Sequence, residues 1–409
     1  MKRQFVIRQP KKLLLAVSII IMLFMVPIEN ATNGIVGILF KNLDEIFAAI
    51  SLFLIIKHHR HLKNVQGLVY YFAFLMVGIL STFVYGQQPL RSVFLDFICC
   101  SKYILSFAGI YCFSSSHKDD MHLRKYLGKL AKIALFLLTV YCISQLIIYG
   151  GRTAVTLFNA HPVNTCHIAV GLYVLTVLQD GIKKQKIWMV FACIGCLSSL
   201  TTKGAGVALI IILISEFQLL IKGRYRWAIY ILLFVGIILI GYDSFQMFFL
   251  NKSAARAILL KNSISIAASH HGIGLGYAMY GSSQAAATYS PIYYSLGFNS
   301  RFGMTSTKYS YLTDSFWPII LGEFGIIGLC LFIAYLIKLG KKIVPIRLEN
   351  YEMFVVCIII YGYFFIMSTS STAFFNPIAV PYGAILAIAI ANVEHSENIL
   401  QRLKGNFKR

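Results

Sequence analysis

Apolar residues fall in long unbroken runs, separated by short polar stretches, along nearly the whole chain. Runs of roughly 17–25 apolar residues are the length a helix needs to cross a hydrocarbon core. Twelve runs approach or reach this length, at 13–28, 37–56, 67–85, 93–113, 130–149, 163–179, 187–201, 204–221, 227–242, 316–337, 353–369 and 374–391. The expected fold class is therefore an all-α polytopic membrane protein with about twelve transmembrane helices. The pair 187–201 and 204–221 is divided by very little and can equally be one broken hairpin. The first run follows a basic start but lacks a small-residue cleavage site, so it reads as a span rather than a signal peptide.

One long polar segment interrupts the pattern, between the ninth and tenth runs. It predicts three regions: an N-terminal membrane region, 1–242; a loop with short amphipathic helices, 243–315; and a C-terminal membrane region with a polar tail, 316–409.

Composition agrees with the pattern. The chain of 409 residues is 58% hydrophobic and only 13% charged, where soluble proteins carry about a quarter; its mean hydropathy is +0.73. A net charge of +22 on a soluble protein would suggest nucleic acid. Placement argues against that partner. Basic clusters precede the first run (Lys2, Arg3, Arg8, Lys11, Lys12) and follow the second (Lys57, Arg60, Lys63) and the fourth (Lys118, Arg124, Lys125, Lys129, Lys132). Others follow the sixth (Lys183, Lys184, Lys186), the eighth (Lys222, Arg224, Arg226), the tenth (Lys338, Lys341, Lys342, Arg347) and the last (Arg402, Lys404, Lys408, Arg409). All fall on one side of a twelve-span chain, as the positive-inside rule requires. Both termini are then expected in the cytoplasm and the 243–315 loop outside.

The nine cysteines lie in or at the ends of apolar runs, which disfavours a disulfide framework. Cys193 and Cys196 have CxxC spacing but no accompanying ligands, and read as small-residue packing. His58, His59 and His61 sit in a basic flank, and no metal site is expected.

Candidate chemistry rests on charges that the orientation rule leaves unexplained. The outer-side basic residues are Arg91, Arg152, Lys203, Lys252, Arg256, Lys261, Arg301 and Lys308. Arg152, in Gly150-Gly151-Arg152-Thr153, can fork onto phosphate oxygens. Lys203, in Thr202-Lys203-Gly204-Ala205, sits at a tight turn. Arg256 opens an amphipathic stretch expected along the membrane surface. His270 and His271 precede Gly272-Ile273-Gly274-Leu275-Gly276, and either imidazole can serve as acid or base. Asp314 precedes the tenth run and suits either a helix cap or a general base. Tyr277, Tyr280, Tyr293, Tyr294 and Trp317 belong to an aromatic-rich stretch, which fits sugar stacking and an interfacial belt equally well. Glu323, Asp96, Lys102, Lys41, Asp44 and Glu45 fall inside runs, where charge is costly. Internal ion pairs fixing helix packing are the favoured reading of the last five.

Several short motifs, in order, resemble bacterial O-antigen and capsular polysaccharide polymerases of the Wzy type, and more distantly the O-antigen ligases. They are the segment from Arg152 to Pro162, with His161 in place of an Asn before Pro; the Thr202–Ala205 turn, with Lys203 where Arg is common; Arg256 followed by Gly272-Ile273-Gly274-Leu275-Gly276; and Asp314-Ser315 ahead of Leu321-Gly322-Glu323-Phe324-Gly325-Ile326-Ile327-Gly328-Leu329. The resemblance spans roughly 152–329. The Asp-Ser pair fits the polymerase side better than the His-Asn-like pair of the ligases.

The resemblance implies a metal-independent, cofactor-free membrane glycosyltransferase in a bacterial cytoplasmic membrane. Its substrate would be an oligosaccharide on a polyprenyl diphosphate, transferred to the non-reducing end of a second lipid-linked unit. Membrane lipids, a chain-length regulator and a flippase are the implied partners. Arg152, Lys203 and Arg256 would hold the diphosphate. Asp314, His270 or His271 would supply the base. Tyr277, Tyr280, Tyr293, Tyr294 and Trp317 would contact sugars. A ligase-like transferase, a flippase for the same lipid-linked sugar and a non-catalytic scaffold are the rival readings.

Overall fold

The computed structural model describes residues 10–406 apart from 66, 117–120, 152, 183–184, 217–241, 243–245, 247–250 and 252. Among the described residues the chain is helical throughout, with no strand. Five helices are long and apolar enough to cross a membrane: α5 (Leu68–Tyr85), α6 (Leu90–Ser116), α7 (Met121–Ile148), α12 (Phe316–Glu349) and α13 (Tyr351–Ser368). A sixth span forms if α1 (Pro10–Leu23) and α2 (Met25–Ala31), bent by 66° at Phe24, are taken together. The protein is thus a membrane-embedded helical protein, and its described residues hold fewer long spans than the twelve apolar runs predict.

Three differences account for much of the gap. The expected span 37–56 is split at Asn42 into α3 (Gly34–Lys41) and α4 (Leu43–His58). The runs at 187–201, 204–221 and 374–391 give helices with shorter apolar stretches: α9 (Lys186–Leu197), α10 (Thr202–Ser215) and the 379–393 part of α14 (Ala379–Asn406). The expected ninth span, 227–242, lies outside the described residues except for Tyr242.

Burial separates the helices by role. Nearly every side chain of α8 (Val163–Asp180) is buried, as is 379–393 of α14. A helix apolar all round is a core helix, and these two form the centre. Helix α6 packs on α4 and α14, α7 on α8, and α5 on α12. Outward faces carry large exposed apolar side chains such as Phe53, Phe83 and Phe365, as a lipid-facing surface requires.

Several polar groups in this interior are paired across helices. The Tyr71 hydroxyl donates to the Cys100 carbonyl at 2.8 Å, and the Ser106 hydroxyl to the Val380 carbonyl at 2.7 Å. Asp44 of α4 forms a buried ion pair with Lys102 of α6. Of the five residues expected to pair internally, Asp44 and Lys102 do so, between helices rather than along one. In lipid an unmatched charge is expensive, so the pair locks α4 to α6.

The segment 255–312 builds a small core of its own. Leu259, Met279, Tyr280, Tyr293, Phe298 and Leu312 are all buried in it. It is anchored to the membrane helices through α11 (Ala255–Ser269), which lies against α12.

Helix α12 is broken at Gly325, whose φ of 67° and ψ of −165° lie outside the helical region. A break frees backbone groups that hydrocarbon cannot satisfy. Here the glycine run satisfies them. Leu275 N–H donates to the Gly322 carbonyl and Gly276 N–H to the Glu323 carbonyl, both at 2.9 Å, while Ile327 N–H donates to the Gly272 carbonyl at 3.0 Å. A Cβ on Gly274 would sit 2.6 Å from the Glu323 carbonyl carbon. Only glycine permits so close a splice of loop to helix.

Two buried carboxylates hold the next turn of the same loop. Asp96 of α6 accepts from Ala278 N–H at 2.7 Å. Glu323 of α12 accepts from Tyr280 N–H at 3.0 Å and from the Ser282 hydroxyl at 2.8 Å. Both acids serve as backbone acceptors that seat the loop on the helices.

Candidate functional site

Arg256 lies in the first turn of α11, and Asp314 lies two residues before α12 begins. They are far apart in sequence, yet Arg256 Nη2 is 3.1 Å from Asp314 Oδ2. The arginine side chain is 11% exposed and the aspartate 35%. The pair therefore opens to solvent from the carboxylate side. It borders a cavity of about 720 Å³ whose wall includes Asn251, Ser253, Arg301, Phe302 and Tyr311. The wall has two guanidinium groups against one carboxylate, so it suits an anion.

Lys203 comes to the same place from another direction. Thr201 caps α10 by accepting from Gly204 N–H at 3.1 Å, which sets Lys203 in the first turn. Its Nζ donates to the Ser370 carbonyl at 2.7 Å, just past the end of α13. Lys203 is within electrostatic reach of both Arg256 and Asp314. Two cations and a carboxylate from three separate elements thus converge.

His161, in the segment before α8, lies within electrostatic reach of the cluster. Its imidazole is exposed and interacts electrostatically with Lys203 and Asp314. Partial desolvation holds its pKa below the usual histidine range, Lys203 pushes in the same direction, and Asp314 opposes both. His161 is thus a candidate that the sequence marks only as a departure from a motif. Its signal there was a histidine directly before a Pro that opens a helix. Arg301 likewise stood only among the unexplained outer cations.

Arg152 lies outside the described residues. The segment that follows it lines a second cavity, of about 420 Å³, with Tyr141, Tyr149, Thr153 and Asn159 in its wall.

The two loop histidines are placed elsewhere. The 14 positions from Arg256 to His270 along α11 correspond to about 20 Å at 1.5 Å per residue, so they sit at opposite ends of one helix. His270 Nδ1 lies 2.8 Å from the Ile266 carbonyl, to which it can only donate, and its ring meets Tyr85 edge-on. His271 Nδ1 lies 2.8 Å from the Tyr85 hydroxyl. The structure therefore groups Arg256, Asp314 and Lys203, and separates His270 and His271 from them.

The aromatic candidates also divide. Tyr277, Tyr280 and Tyr293 are fully buried, with hydroxyls committed to Leu75 O, Leu259 O and Gly281 N–H respectively. They are core, with no face open to a sugar. Trp317 donates from Nε1 to the Ser368 hydroxyl at 3.1 Å. Tyr294 is 57% exposed and packs edge-on against Tyr289. At the cavity itself the open aromatic faces are Phe302 and Tyr311, whose rings meet at 6.1 Å.

No group of three or more His, Cys, Asp or Glu side chains suited to a metal ion occurs among the described residues. Compared with known proteins, the chain matches no family model and no curated protein.

Proposed function

We propose that the chain is a membrane glycosyltransferase of the polysaccharide-polymerase kind, acting on polyprenyl-diphosphate-linked oligosaccharides at the outer face of the bacterial cytoplasmic membrane. The observation that carries this reading is the Arg256–Asp314 pair, 3.1 Å apart in a cavity wall, with Lys203 within electrostatic reach. A diphosphate leaves with at least two negative charges, and fixed cations in a partly desolvated site stabilise that charge as it develops. In the transfer, the acceptor hydroxyl oxygen bonds to the anomeric carbon as the bond from that carbon to the diphosphate oxygen breaks. The hydroxyl proton passes to Asp314, which takes the role of base. Phe302 and Tyr311 offer flat faces for sugar rings. A lipid tail in the bilayer and sugars in water suit a cavity seated over apolar helices.

One observation favours a second reading. A broken membrane helix beside buried carboxylates, as at Gly325 and Glu323, is an arrangement that transporters use, so a flippase for the same lipid-linked sugar is the alternative.

The test is the length of surface glycan in a strain whose only copy carries Arg256→Ala, with membrane abundance confirmed. Single repeat units on the surface are expected. Loss of all surface glycan, with lipid-linked units held inside, selects the flippase. Unchanged long chains remove Arg256 from the site.

A further inference from the structure

We propose that an aromatic cleft between α12 and α13 holds the first isoprene units of the lipid carrier, next to the groups that take its diphosphate. The proposal rests on the glycosyl-transfer reading above and adds to it a site for the lipid end of the substrate.

The cleft has a packed floor and an open rim. Tyr103 of α6, Phe364 of α13, Leu386 of α14 and Phe374, between α13 and α14, line it and are almost fully buried. Phe364 and Phe374 stack at 4.4 Å, and Tyr103 meets Phe374 edge-on at 5.3 Å. Trp317 and Leu336 of α12 and Tyr361 of α13 line it too but are only half-buried. Phe365, also in the wall, is 71% exposed. The cleft therefore opens at Phe365, on the lipid-facing surface.

Its polar atoms are already committed. Trp317 Nε1 donates to the Ser368 hydroxyl at 3.1 Å, and that hydroxyl donates to the Phe365 carbonyl at 2.8 Å. The Tyr361 hydroxyl donates to the Leu336 carbonyl at 3.0 Å, and the Tyr103 and Tyr335 hydroxyls pair at 3.1 Å. No charged side chain occurs among the described residues of the wall. The free space is about 50 Å³. That exceeds the need of one water, but an apolar void gives water no partners and stays dry. Aromatic faces beside empty space forfeit dispersion contacts, and a hydrocarbon chain entering from the bilayer restores them.

Placement selects which chain. Asp314 precedes Trp317 by three residues, and Ser370, whose carbonyl holds Lys203 Nζ at 2.7 Å, follows Ser368 by two. At 3.8 Å between successive Cα atoms, these separations are at most about 11 and 8 Å. The Trp317–Ser368 end of the cleft thus adjoins the groups assigned to the diphosphate. From Ser368 the wall continues along α13 to Tyr361, about 10 Å at 1.5 Å per residue, so it leads away from those groups along the helix. A prenyl diphosphate matches both ends: an anionic head for Arg256 and Lys203, and a branched, unsaturated stem for the aromatic walls. A straight acyl chain lacks the methyl branches that fill an irregular void to protein density.

The test is calorimetric binding to the full-length protein in detergent, with geranylgeranyl diphosphate, hexadecyl diphosphate and inorganic diphosphate as probes. The prenyl probe is expected to bind about tenfold more tightly than inorganic diphosphate, the worth of roughly ten carbon–carbon contacts, and more tightly than the straight-chain probe. Leu336→Trp, which fills the cleft, and Phe365→Ala, at an exposed position that tolerates change, are each expected to lose most of that gain. Both should bind inorganic diphosphate as wild type does. Wild-type affinity for the prenyl probe in both variants overturns the proposal, and so does a wild-type protein that binds the prenyl and hexadecyl probes equally. Arg256→Ala is run alongside. If it weakens inorganic diphosphate while both cleft variants keep the prenyl gain, only the cleft assignment fails. If it leaves inorganic diphosphate binding unchanged, the diphosphate site itself is lost and the cleft assignment with it.

Discussion

Arg256 and Asp314 are joined by a 3.1 Å ion pair that ties the first turn of α11 to the entrance of α12. The pair is partly exposed, and such pairs contribute little to stability, typically under about 1 kcal/mol. Asp314→Asn keeps the shape and a hydrogen-bond partner for Arg256 but removes the proposed base. Membrane abundance and thermal stability are expected to stay near wild type while chain elongation falls by about 10²–10⁴-fold. A glycan ladder of normal length from Asp314→Asn would exclude it as base.

The titration of His161 reports on the same cluster. Its folded pKa lies below the ordinary value, so the unfolded chain binds more proton between the two values. Stability from this group is therefore present above the unfolded pKa and is lost as pH falls through the folded one. An NMR titration should place its midpoint below about 6.5, the unperturbed histidine value. Lys203→Gln removes a repelling charge and should raise that midpoint; Asp314→Asn removes an attracting one and should lower it. Shifts of opposite sign would dissolve the cluster.

Open and closed aromatics should behave differently. Tyr280→Phe loses the bond to the Leu259 carbonyl and should cost about 1 kcal/mol of stability without shortening glycan. Phe302→Ala and Tyr311→Ala, on the cavity wall, should leave stability nearly unchanged and shorten glycan. Chain length on gels and melting in detergent separate the two effects, and the reverse pattern would return sugar contact to the buried tyrosines.

Gly325 tests the splice between loop and helix. A Cβ there would collide with the Gly272 carbonyl, and the residue has a positive φ. Gly325→Ala should cost about 1–3 kcal/mol for a non-glycine residue in this essentially glycine-only backbone region, with the collision added. A melting temperature equal to wild type would show that the break in α12 is not held as described.

The buried pair of Asp44 and Lys102 gives a structural control remote from the cavity. Lys102→Met alone leaves an uncompensated charge and should cost about 3–5 kcal/mol. Asp44→Leu combined with Lys102→Met should recover most of that loss. A double variant no more stable than Lys102→Met would show that the pair does not act as a unit.

Hydropathy by itself was enough to show a helical, membrane-embedded chain, because lipid admits few other arrangements and the apolar runs are long. It also picked out the Tyr242–Ser315 interruption and the cations Arg256 and Lys203. It did not separate lipid-facing helices from core helices: α8 and the 379–393 part of α14 are apolar for packing, and α7 is apolar because a large part of its surface faces outward. Among the described residues, fewer runs therefore form long spans than run counting predicts. Which polar residues meet was a tertiary decision. The glycine run resembles a ligand loop in sequence, but its glycines are required by the backbone of a broken helix 50 residues away. His270 and His271 share a loop with Arg256, yet the rigid rise of α11 carries them to the far end. His161, Lys203 and Asp314 come from remote segments, and no spacing in the chain links them. Sequence determines the local preference of each segment for lipid, helix or turn. Packing decides which side chains share a cavity, because contacts across helices depend on where each helix starts, breaks and crosses its neighbours.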